Sequence, residues 1–260
     1  MKQKTIYTRE EFESMRTSKA KDMQKDTSLK RDAFNIMMRA DKHSAYHQWD
    51  WMGQPILQAA EDVIAIQDII FKTKPDYIIE CGVAWGGGLL FCASLLKMVG
   101  GVEVIGIDIN IPDDLRSRIN TAVQEYQLPI SLITGSSVDP KIVQSVKRKV
   151  KNATCMVILD SNHTHNHVLK ELNMYKQFIS PGGYMVCSDT MVDEIPEEHT
   201  DGEGHELTPR NRNRPWGPGN NPRTALLEFI SKEPDFVVDE YYRNKLLLSC
   251  NPDGYLVRIK

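Results

Sequence analysis

A short segment, residues 160–167, carries several side chains that could do chemistry. It begins at Asp160, directly after a run of apolar residues, and a second aspartate, Asp189, follows the next such run. Two carboxylates at the ends of neighbouring strands can share a hard divalent cation such as Mg²⁺, which prefers oxygen ligands. Such an ion lowers the pKa of a bound hydroxyl, and His163 is the candidate base that takes the proton. The segment therefore predicts metal-assisted activation of an alcohol or sugar hydroxyl.

The two remaining histidines of this segment, His165 and His167, have a simpler interpretation. Both stand where the following helix is expected to begin, so we expect them to cap that helix or to face solvent. A competing interpretation is a non-haem iron site made of two histidines and one carboxylate. Its ligands would be Asp160, His163 and His165. The strand-end aspartates favour the hard, oxygen-ligated ion.

A glycine-rich turn, residues 80–88, lies between a predicted strand and a predicted helix. Glycines let the backbone approach a ligand closely, and a helix N-terminus presents free N–H groups. Ala84 stands where the dinucleotide pattern G-x-G-x-x-G has its middle glycine, which argues against NAD. Glu80, just before Gly82, suits a cationic ligand better than a pyrophosphate. The turn therefore favours S-adenosylmethionine, which carries a sulfonium and an ammonium group.

Two further positions could complete this cofactor site. Asp108 ends the next predicted strand and follows Gly86 at about the spacing of a carboxylate that binds ribose hydroxyls. Ser136 lies in a Gly-Ser-Ser turn after the third strand, where we expect the adenine side of the ligand. The alternative for Asp108 is a cap on its own turn, through Asn110.

Alternating strands and helices predict the fold class. Short apolar runs predict strands, and helical periodicity predicts helices between them. This order indicates an α/β, Rossmann-like domain with a doubly wound, mainly parallel sheet, which binds ligands beyond the carboxyl ends of its strands. Three C-terminal runs predict an antiparallel closing set. The predicted strands are 77–81, 102–107, 130–134, 155–159, 184–187, 236–241, 246–250 and 255–259, and the helices are 56–71, 89–98, 113–126, 140–150, 165–179 and 223–231.

Two segments flank or interrupt this pattern. Residues 1–50 predict an N-terminal extension of one or two helices, ahead of a domain at 51–260. The cluster that follows is expected to pack as an apolar wedge, or alternatively to line an acceptor pocket; it comprises Tyr46, Trp49, Trp51 and Met52. Residues 193–222 are rich in Pro, Gly, Asn and charge and predict a lid loop or a solvated loop. Its candidate substrate contacts are Arg210, Arg212, Arg214 and Trp216.

Composition narrows the classes of partner. The formal net charge is -3, so strong attraction to nucleic acid or to an anionic membrane is not expected. No apolar stretch reaches membrane-spanning length, and the N-terminus lacks the apolar core of a secretory signal. Five cysteines without C-x-x-C spacing predict buried free thiols and a cytoplasmic protein. The helical N-terminus indicates a homo-oligomer.

These motifs together resemble the cephalosporin hydroxylase family, whose members look like class I methyltransferases. The similarity covers residues 46–260, and the combination is far more specific than any single motif. It rests on Trp51-x-Gly53, Pro75-Asp76-x-Ile78-Ile79-Glu80-x-Gly82, Gly86-Gly87, Gly106-Ile107-Asp108-Ile109, Gly135-Ser136-Ser137, Leu159-Asp160-Ser161-x-His163-Thr164-x-x-His167-Val168-Leu169 and Asp189-Thr190.

The resemblance implies a cofactor site at Glu80, Gly82, Asp108 and Ser136. Related macrolide-sugar and rhamnosyl O-methyltransferases imply Mg²⁺ held by Asp160 and Asp189, with His163 as base. The family often has Glu-Asp where this chain has Ser188-Asp189, so Ser188 or water is expected in place of one carboxylate. The expected activity is O-methylation of a sugar or small polyol. The alternatives are an iron hydroxylase and a non-catalytic cofactor-binding partner of another enzyme.

Overall fold

The computed structural model describes residues 7–196, 200, 204, 206 and 214–260. Within them, helices and strands alternate along most of the chain. The helices are α1 Arg9–Lys25, α2 Thr27–Asp41, α3 Ala60–Thr73, α4 Gly87–Val99, α5 Asp113–Tyr126, α6 Pro140–Val150, α7 His165–Tyr175, α8 Pro222–Lys232 and α9 Glu240–Lys245. The strands are β1 Asp50–Trp51, β2 Gln54–Pro55, β3 Tyr77–Cys81, β4 Glu103–Asp108, β5 Ile130–Thr134, β6 Cys155–Leu159, β7 Tyr184–Cys187, β8 Phe236–Val238 and β9 Tyr255–Arg258.

A seven-stranded sheet forms the centre of the fold, in the order β5-β4-β3-β6-β7-β9-β8. The five strands from β5 to β7 are parallel, and their order reverses between β3 and β6. This reversal is the topological switch point, where sheets of this kind open a crevice at the carboxyl ends of their strands. In register, Cys81 lies beside Leu159, so Gly82 and Asp160 follow side by side at that edge. The predicted doubly wound parallel sheet is confirmed.

Helices cover both faces of the sheet, which explains why β3 and β6 are apolar runs rather than alternating ones. On one face, α3, α4 and α5 pack on Ile78, Val104 and Met156. On the other face, α6, α7 and α8 pack on Ile79 and Val157. Successive residues of each strand thus enter opposite layers of the core.

The C-terminal part of the chain confirms one prediction and corrects another. β9 pairs antiparallel with both β7 and β8. The predicted strand at 246–250 is wrong, and the predicted 236–241 strand ends at Val238, with α9 following. The backbone donors of 246–250 are taken by side chains: Glu61 accepts from the N–H groups of Leu247 and Leu248, and Asp62 accepts from that of Cys250. Those donors are therefore not used in a strand ladder.

The N-terminal extension forms two helices, as predicted, which differ in how they pack. α1 begins with a capping box between Thr8 and Glu11 and buries none of its residues. α2 buries Ala33, Met37 and Met38, and the two methionines pack with Met191. α2 is therefore part of the apolar core next to the carboxyl ends of the strands.

The aromatic cluster that follows divides between two roles. Trp51 packs edge-to-face on Phe91 of α4, with ring centroids 5.0 Å apart, as the wedge prediction expects. Trp49 is 72% exposed, so the prediction is wrong for this residue. Trp49 directly precedes the two-stranded β1–β2 hairpin, outside the core packing that holds Trp51.

Smaller differences from the predictions concern the ends of two helices. α3 begins at Ala60 rather than at 56, and α7 ends at Tyr175, followed by a short 3-10 helix at 176–178. The five cysteines are free thiols, as predicted, and four of them are buried, but the prediction of burial is wrong for Cys250, which is partly exposed. Among the described residues, no helix combines the length and apolar character that crossing a membrane requires.

Candidate active site

The glycine turn after β3 brings two strand ends unusually close. Gly82 adopts a positive φ of 98°, and a side chain at this position would overlap the main-chain carbonyl of Asp160. Only glycine combines this backbone conformation with that approach. The turn therefore holds the Glu80 side and the Asp160 side of the site at a fixed short separation.

Glu80 is a buried acid in this turn. It is 7% exposed, and Oε2 accepts no hydrogen bond from the described residues. Burial, and secondarily the charge of Asp160, raises the pKa of Glu80 to about 8. A Cβ added to Gly88 would lie 2.6 Å from Glu80 Oε1, so Gly88 leaves the space that this carboxyl occupies. An unpartnered buried carboxyl oxygen is suited to a cationic ligand group.

Asp108 fastens the same turn from the end of β4. Its Oδ2 accepts hydrogen bonds from the N–H groups of Val83, at 2.8 Å, and Ala84, at 3.4 Å. Its Oδ1 accepts from Asn110 N at 3.0 Å, which is the cap that the alternative interpretation expects. The carboxylate retains lone pairs for further donors. Its role toward a ribose stays a prediction.

A compact cluster of possible metal ligands follows β6 and β7, next to this turn. Ligand atoms of Asp160, His163 and Asp189 all lie within 4.8 Å of one another. His163 Nε2 is 3.3 Å from Asp189 Oδ2, and Gln58 Nε2 donates to Asp160 Oδ2 at 3.0 Å. Burial and the neighbouring charge of Asp189 raise the pKa of Asp160 well above its usual range, against the opposing effects of His163 and Gln58.

Asp189 occupies an unusual backbone conformation after β7. Its φ of 55° lies in the left-handed region, which is uncommon for residues other than glycine. The neighbouring Ser188 is 2% exposed, and its Oγ has no hydrogen-bond partner among the described residues. Ser188 does not line the cavity described next. Its predicted role as a metal ligand stays a prediction.

A cavity of about 380 Å³ joins these groups. Its lining includes Glu80, Gly82 and Ala84 of the glycine turn and, beside them, the candidate metal ligands Asp160, His163 and Asp189. This volume is in the usual range of small-molecule sites. Gly86, Asp108 and Ser136 do not line the cavity, so contacts from them to a ligand stay predictions. The cavity also has an apolar wall, formed by Met38, Tyr46, Met191, Val192, Ile195 and Trp216.

Trp216, which belongs to the predicted lid segment, contacts the candidate base. Its ring packs edge-to-face on His163, with centroids 4.9 Å apart, and the guanidinium of Arg214 lies 5.2 Å from the same ring. Both residues line the cavity. Arg210 and Arg212 lie outside the described residues.

The other two histidines are held elsewhere. His165 contacts Thr224 Oγ1 through Nδ1, at 2.8 Å, and Glu228 Oε2 through Nε2, at 3.0 Å. Because both ring nitrogens face α8, the iron ligand set that includes His165 is wrong. His167 Nε2 lies 3.1 Å from the hydroxyls of Ser137 and Ser161. His165 is thus a link between α7 and α8, and His167 joins the loops after β5 and β6.

Several cavity residues were not predicted from the sequence. Gln58 lies before α3, more than a hundred positions from the carboxylate that it contacts. Met38 and Asp41 come from α2, and Cys250 comes from the C-terminal loop. None of these four belongs to a recognisable local motif. Away from the strand ends, the sequence predicted acceptor contacts from the aromatic cluster around Tyr46 and from Arg214 and Trp216, and Tyr46, Arg214 and Trp216 line the cavity.

The fold and the strand-end site define the class of protein: this is a Rossmann-like α/β domain of the class I methyltransferase type. The family model described as Rhamnosyl O-methyltransferase/CmcI matches residues 43–259, and the chain belongs to this family. The resemblance stated from the motifs is therefore confirmed. The matched range leaves out α1 and α2.

Known relatives agree with this assignment. The chain is 27% identical over 228 residues to a rhamnosyl O-methyltransferase of Mycobacterium tuberculosis, covering 82% of this chain and 83% of that protein. The corresponding protein of Mycobacterium leprae is also 27% identical, with 82% and 89% covered. A solved structure of CmcI with Mg and SAM shares the fold, with a TM-score of 0.54, 20% identity, and 84% of this chain and 79% of that chain covered.

Proposed function

We propose that this protein is an S-adenosylmethionine-dependent O-methyltransferase that uses Mg²⁺ to methylate a hydroxyl of a sugar or another small polyol. The observation that carries the proposal is the convergence of Asp160, His163 and Asp189 on one side of a cavity. The glycine turn after β3, with the buried Glu80, lines the same cavity. One cavity thus offers a place for a cationic cofactor and, beside it, a place to activate a hydroxyl.

The cofactor part of the proposal assigns the turn and its supports to S-adenosylmethionine. Glu80 is the partner of a cationic group of the ligand, and Gly82, Ala84 and Gly86 let the backbone come close. Asp108 holds the turn and keeps acceptor capacity for the ribose hydroxyls. Ser136 contributes on the adenine side. The family to which the chain belongs and the CmcI structure with Mg and SAM support this assignment.

The donor set fits a divalent cation. Two carboxylates and one imidazole lie within reach of a single ion. Burial and, secondarily, the charge of Asp189 raise the pKa of Asp160, and a positive charge would oppose both effects. Asp160 and Asp189 are the proposed ligands, with Ser188 or water filling a further position. When bound, Mg²⁺ supplies the charge that favours the deprotonated form of the acceptor hydroxyl.

The reaction removes a proton from the acceptor hydroxyl and adds a methyl group to its oxygen. His163 takes the proton of the acceptor hydroxyl, and the contact with Asp189 orients its ring and stabilises the imidazolium. The acceptor oxygen then forms a bond to the methyl carbon while the carbon–sulfur bond of the sulfonium breaks, leaving a neutral thioether. Holding oxygen, carbon and sulfur in line supplies much of the catalysis.

We assign binding of the acceptor to the apolar wall of the cavity. Met38 from α2 and Tyr46 bring the N-terminal extension into this wall, and Trp216 brings the lid. We assign residues 1–50 as an extension that contributes to acceptor binding, 51–260 as the methyltransferase domain and 193–222 as its lid. The rhamnosyl O-methyltransferases among the relatives support a glycosyl acceptor.

The proposal also covers the substrate class, the cellular location and the oligomeric state of the enzyme. The net charge of -3 supports a small-molecule or glycosyl substrate rather than nucleic acid. The free cysteines support a cytoplasmic location. The helical N-terminal extension supports a homo-oligomer, which light scattering of the purified protein tests.

One experiment tests the activity. Calorimetry should show binding of S-adenosylhomocysteine, and radiolabelled S-adenosylmethionine should transfer its methyl group to a rhamnoside only when Mg²⁺ is present. Asp189→Asn should abolish the Mg²⁺-dependent transfer and leave S-adenosylhomocysteine affinity unchanged. Absence of cofactor binding would overturn the proposal. Stoichiometric iron with oxidation of the acceptor, or cofactor binding without transfer to any hydroxyl, would favour the alternative functions.

A further inference from the structure

A buried carboxylate on α3 organises the C-terminal loop beside the site. Asp62 is fully buried, although it does not line the cavity. Three donors from the C-terminal segment converge on it: Ser249 Oγ at 2.6 Å, Tyr255 OH at 2.7 Å and Cys250 N at 2.8 Å. Burying a carboxylate is costly unless its oxygens are satisfied, and here they are. The loop at 249–251 therefore has its position set by α3.

The same loop holds Asp189 at its backbone. Ser249 Oγ, which donates to Asp62, accepts from Asn251 N at 2.9 Å. The side chain of Asn251, 1% exposed, then accepts from the backbone N–H of Asp189 through Oδ1 at 2.8 Å. Three hydrogen bonds thus lead from Asp62 through Ser249 and Asn251 to Asp189.

Two further contacts tie the same two segments together. Met191 N donates to Cys250 O at 3.1 Å, and Thr190 Oγ1 donates to Pro252 O at 2.5 Å. These bonds clamp the chain on the far side of Asp189. A non-glycine residue in the left-handed region persists when its surroundings determine it, and this clamp supplies that determination.

We propose that Asp62, acting through Ser249 and Asn251, is a positioning residue that holds the Asp189 carboxylate in the geometry required for binding the metal. This inference rests on the proposed function, in which Asp189 is a metal ligand. Residues that orient metal ligands are worth about 10-fold to 100-fold in metal affinity. Asp62 lies on α3, more than 120 positions before Asp189, and only the fold brings the two together.

The test measures metal binding directly. Mn²⁺ replaces Mg²⁺ as the probe because its binding can be followed by electron paramagnetic resonance, with S-adenosylhomocysteine affinity measured separately in metal-free buffer. Asp62→Asn should weaken Mn²⁺ binding about 10-fold or more. Its S-adenosylhomocysteine affinity should stay unchanged, because the cofactor turn is fastened by Asp108. An equal loss of both affinities, or no loss of Mn²⁺ affinity, would overturn the inference.

A control variant separates positioning from a general loss of stability. Glu61→Gln is the matched control, because it alters the adjacent acid, which holds Leu247 and Leu248 outside the relay. This variant should keep wild-type Mn²⁺ affinity, and a loss equal to that of Asp62→Asn would overturn the inference.

If Asp62→Asn does not fold, Ser249→Ala tests the relay in its place. It leaves Asp62 bonded to Cys250 and Tyr255 and should weaken Mn²⁺ binding alone; unchanged Mn²⁺ affinity in this variant counts against the relay. If the wild-type protein binds S-adenosylhomocysteine but no Mn²⁺, the metal part of the proposed function fails and the relay fails with it. If the wild type binds both and the relay variants match it, only the relay fails.

Discussion

His163 Nε2 lies 3.3 Å from Asp189 Oδ2 at the end of β7, while the His163 ring packs edge-to-face on Trp216. The aspartate can accept a hydrogen bond from the ring N–H and stabilise the imidazolium, and the tryptophan limits the rotation of the ring. His165 and His167 also contact carboxylates, those of Glu228 and Glu171, but only His163 of these three lines the cavity. A base must reach the proton that it removes, so the geometry favours His163 for proton transfer.

Replacing this histidine separates catalysis from binding. His163→Asn should lower kcat by about 10²-fold to 10⁴-fold, which is the usual contribution of a general base. Affinity for S-adenosylhomocysteine should remain at the wild-type value, because the glycine turn does not depend on His163. His165→Gln is the matched control: it should lower the melting temperature through its contacts with α8 and leave kcat near wild type. Equal loss of kcat in both variants would contradict the assignment.

The buried Glu80 makes stability depend on pH. Its pKa is about 8 in the folded protein, against an ordinary value of 4.5. Between these values the unfolded chain loses the proton and the folded chain retains it, so the stability contributed by protonated Glu80 is lost as the pH rises from 4.5 to 8. At about 1.4 kcal/mol for each unit of pKa, the loss is roughly 5 kcal/mol.

Urea unfolding of the ligand-free protein measures this effect. Glu80→Gln cannot ionise, so its free energy of unfolding should gain on the wild type as the pH is raised from 5 to 8, and the gap should stop growing above pH 8. Glu10→Gln, at an exposed position of α1, should follow the wild-type curve. A constant difference between Glu80→Gln and wild type across this range would show that Glu80 is already ionised at pH 5 in the folded protein.

The fold was largely predictable because its sheet is built from local signals. β3, β5, β6 and β7 are short apolar runs that end where predicted, and α5 and α6 match their predicted bounds. The strand prediction for segment 246–250 failed for a physical reason. Its apolar residues resemble a strand, but Glu61 and Asp62 accept its backbone hydrogen bonds. Side-chain acceptors so far away in the chain leave no trace in a local pattern.

Some residues of the candidate site were likewise predictable from the sequence, and others were not. Glu80, Asp108, Asp160 and Asp189 end parallel strands, and the carboxyl ends of such strands meet at one edge, so their neighbourhood follows from the strand pattern. Gln58 and the helix α2 reach the cavity only through tertiary packing. The sequence showed which residues form the reacting edge of the site, and the structure was needed to show what surrounds it.

Gly88 tests the space that Glu80 occupies. Alanine usually stabilises a helix position by about 0.5–1 kcal/mol relative to glycine. At Gly88 of α4, however, its methyl group would lie 2.6 Å from Glu80 Oε1 and force the carboxyl to move. Gly88→Ala should therefore weaken S-adenosylhomocysteine binding in calorimetry. Gly217→Ala is the control, because a Cβ there meets nothing within 4 Å. Unchanged affinity in Gly88→Ala would remove Glu80 from the cofactor site.

Met38 tests whether α2 takes part in acceptor binding. It is 2% exposed and lines the apolar wall of the cavity, although α2 lies outside the residues matched by the family model. Met38→Ala should raise the KM for the glycosyl acceptor and leave S-adenosylhomocysteine affinity unchanged, at a stability cost of about 2–5 kcal/mol. Met38→Leu keeps the volume and should restore most of the stability but only part of the acceptor affinity, because its branched shape differs. Met98→Ala, at an 81% exposed position of α4, should change neither quantity. If the KM for the acceptor changes only in proportion to the loss of stability across these variants, Met38 is a core residue. Acceptor recognition would then belong to Tyr46 and Trp216.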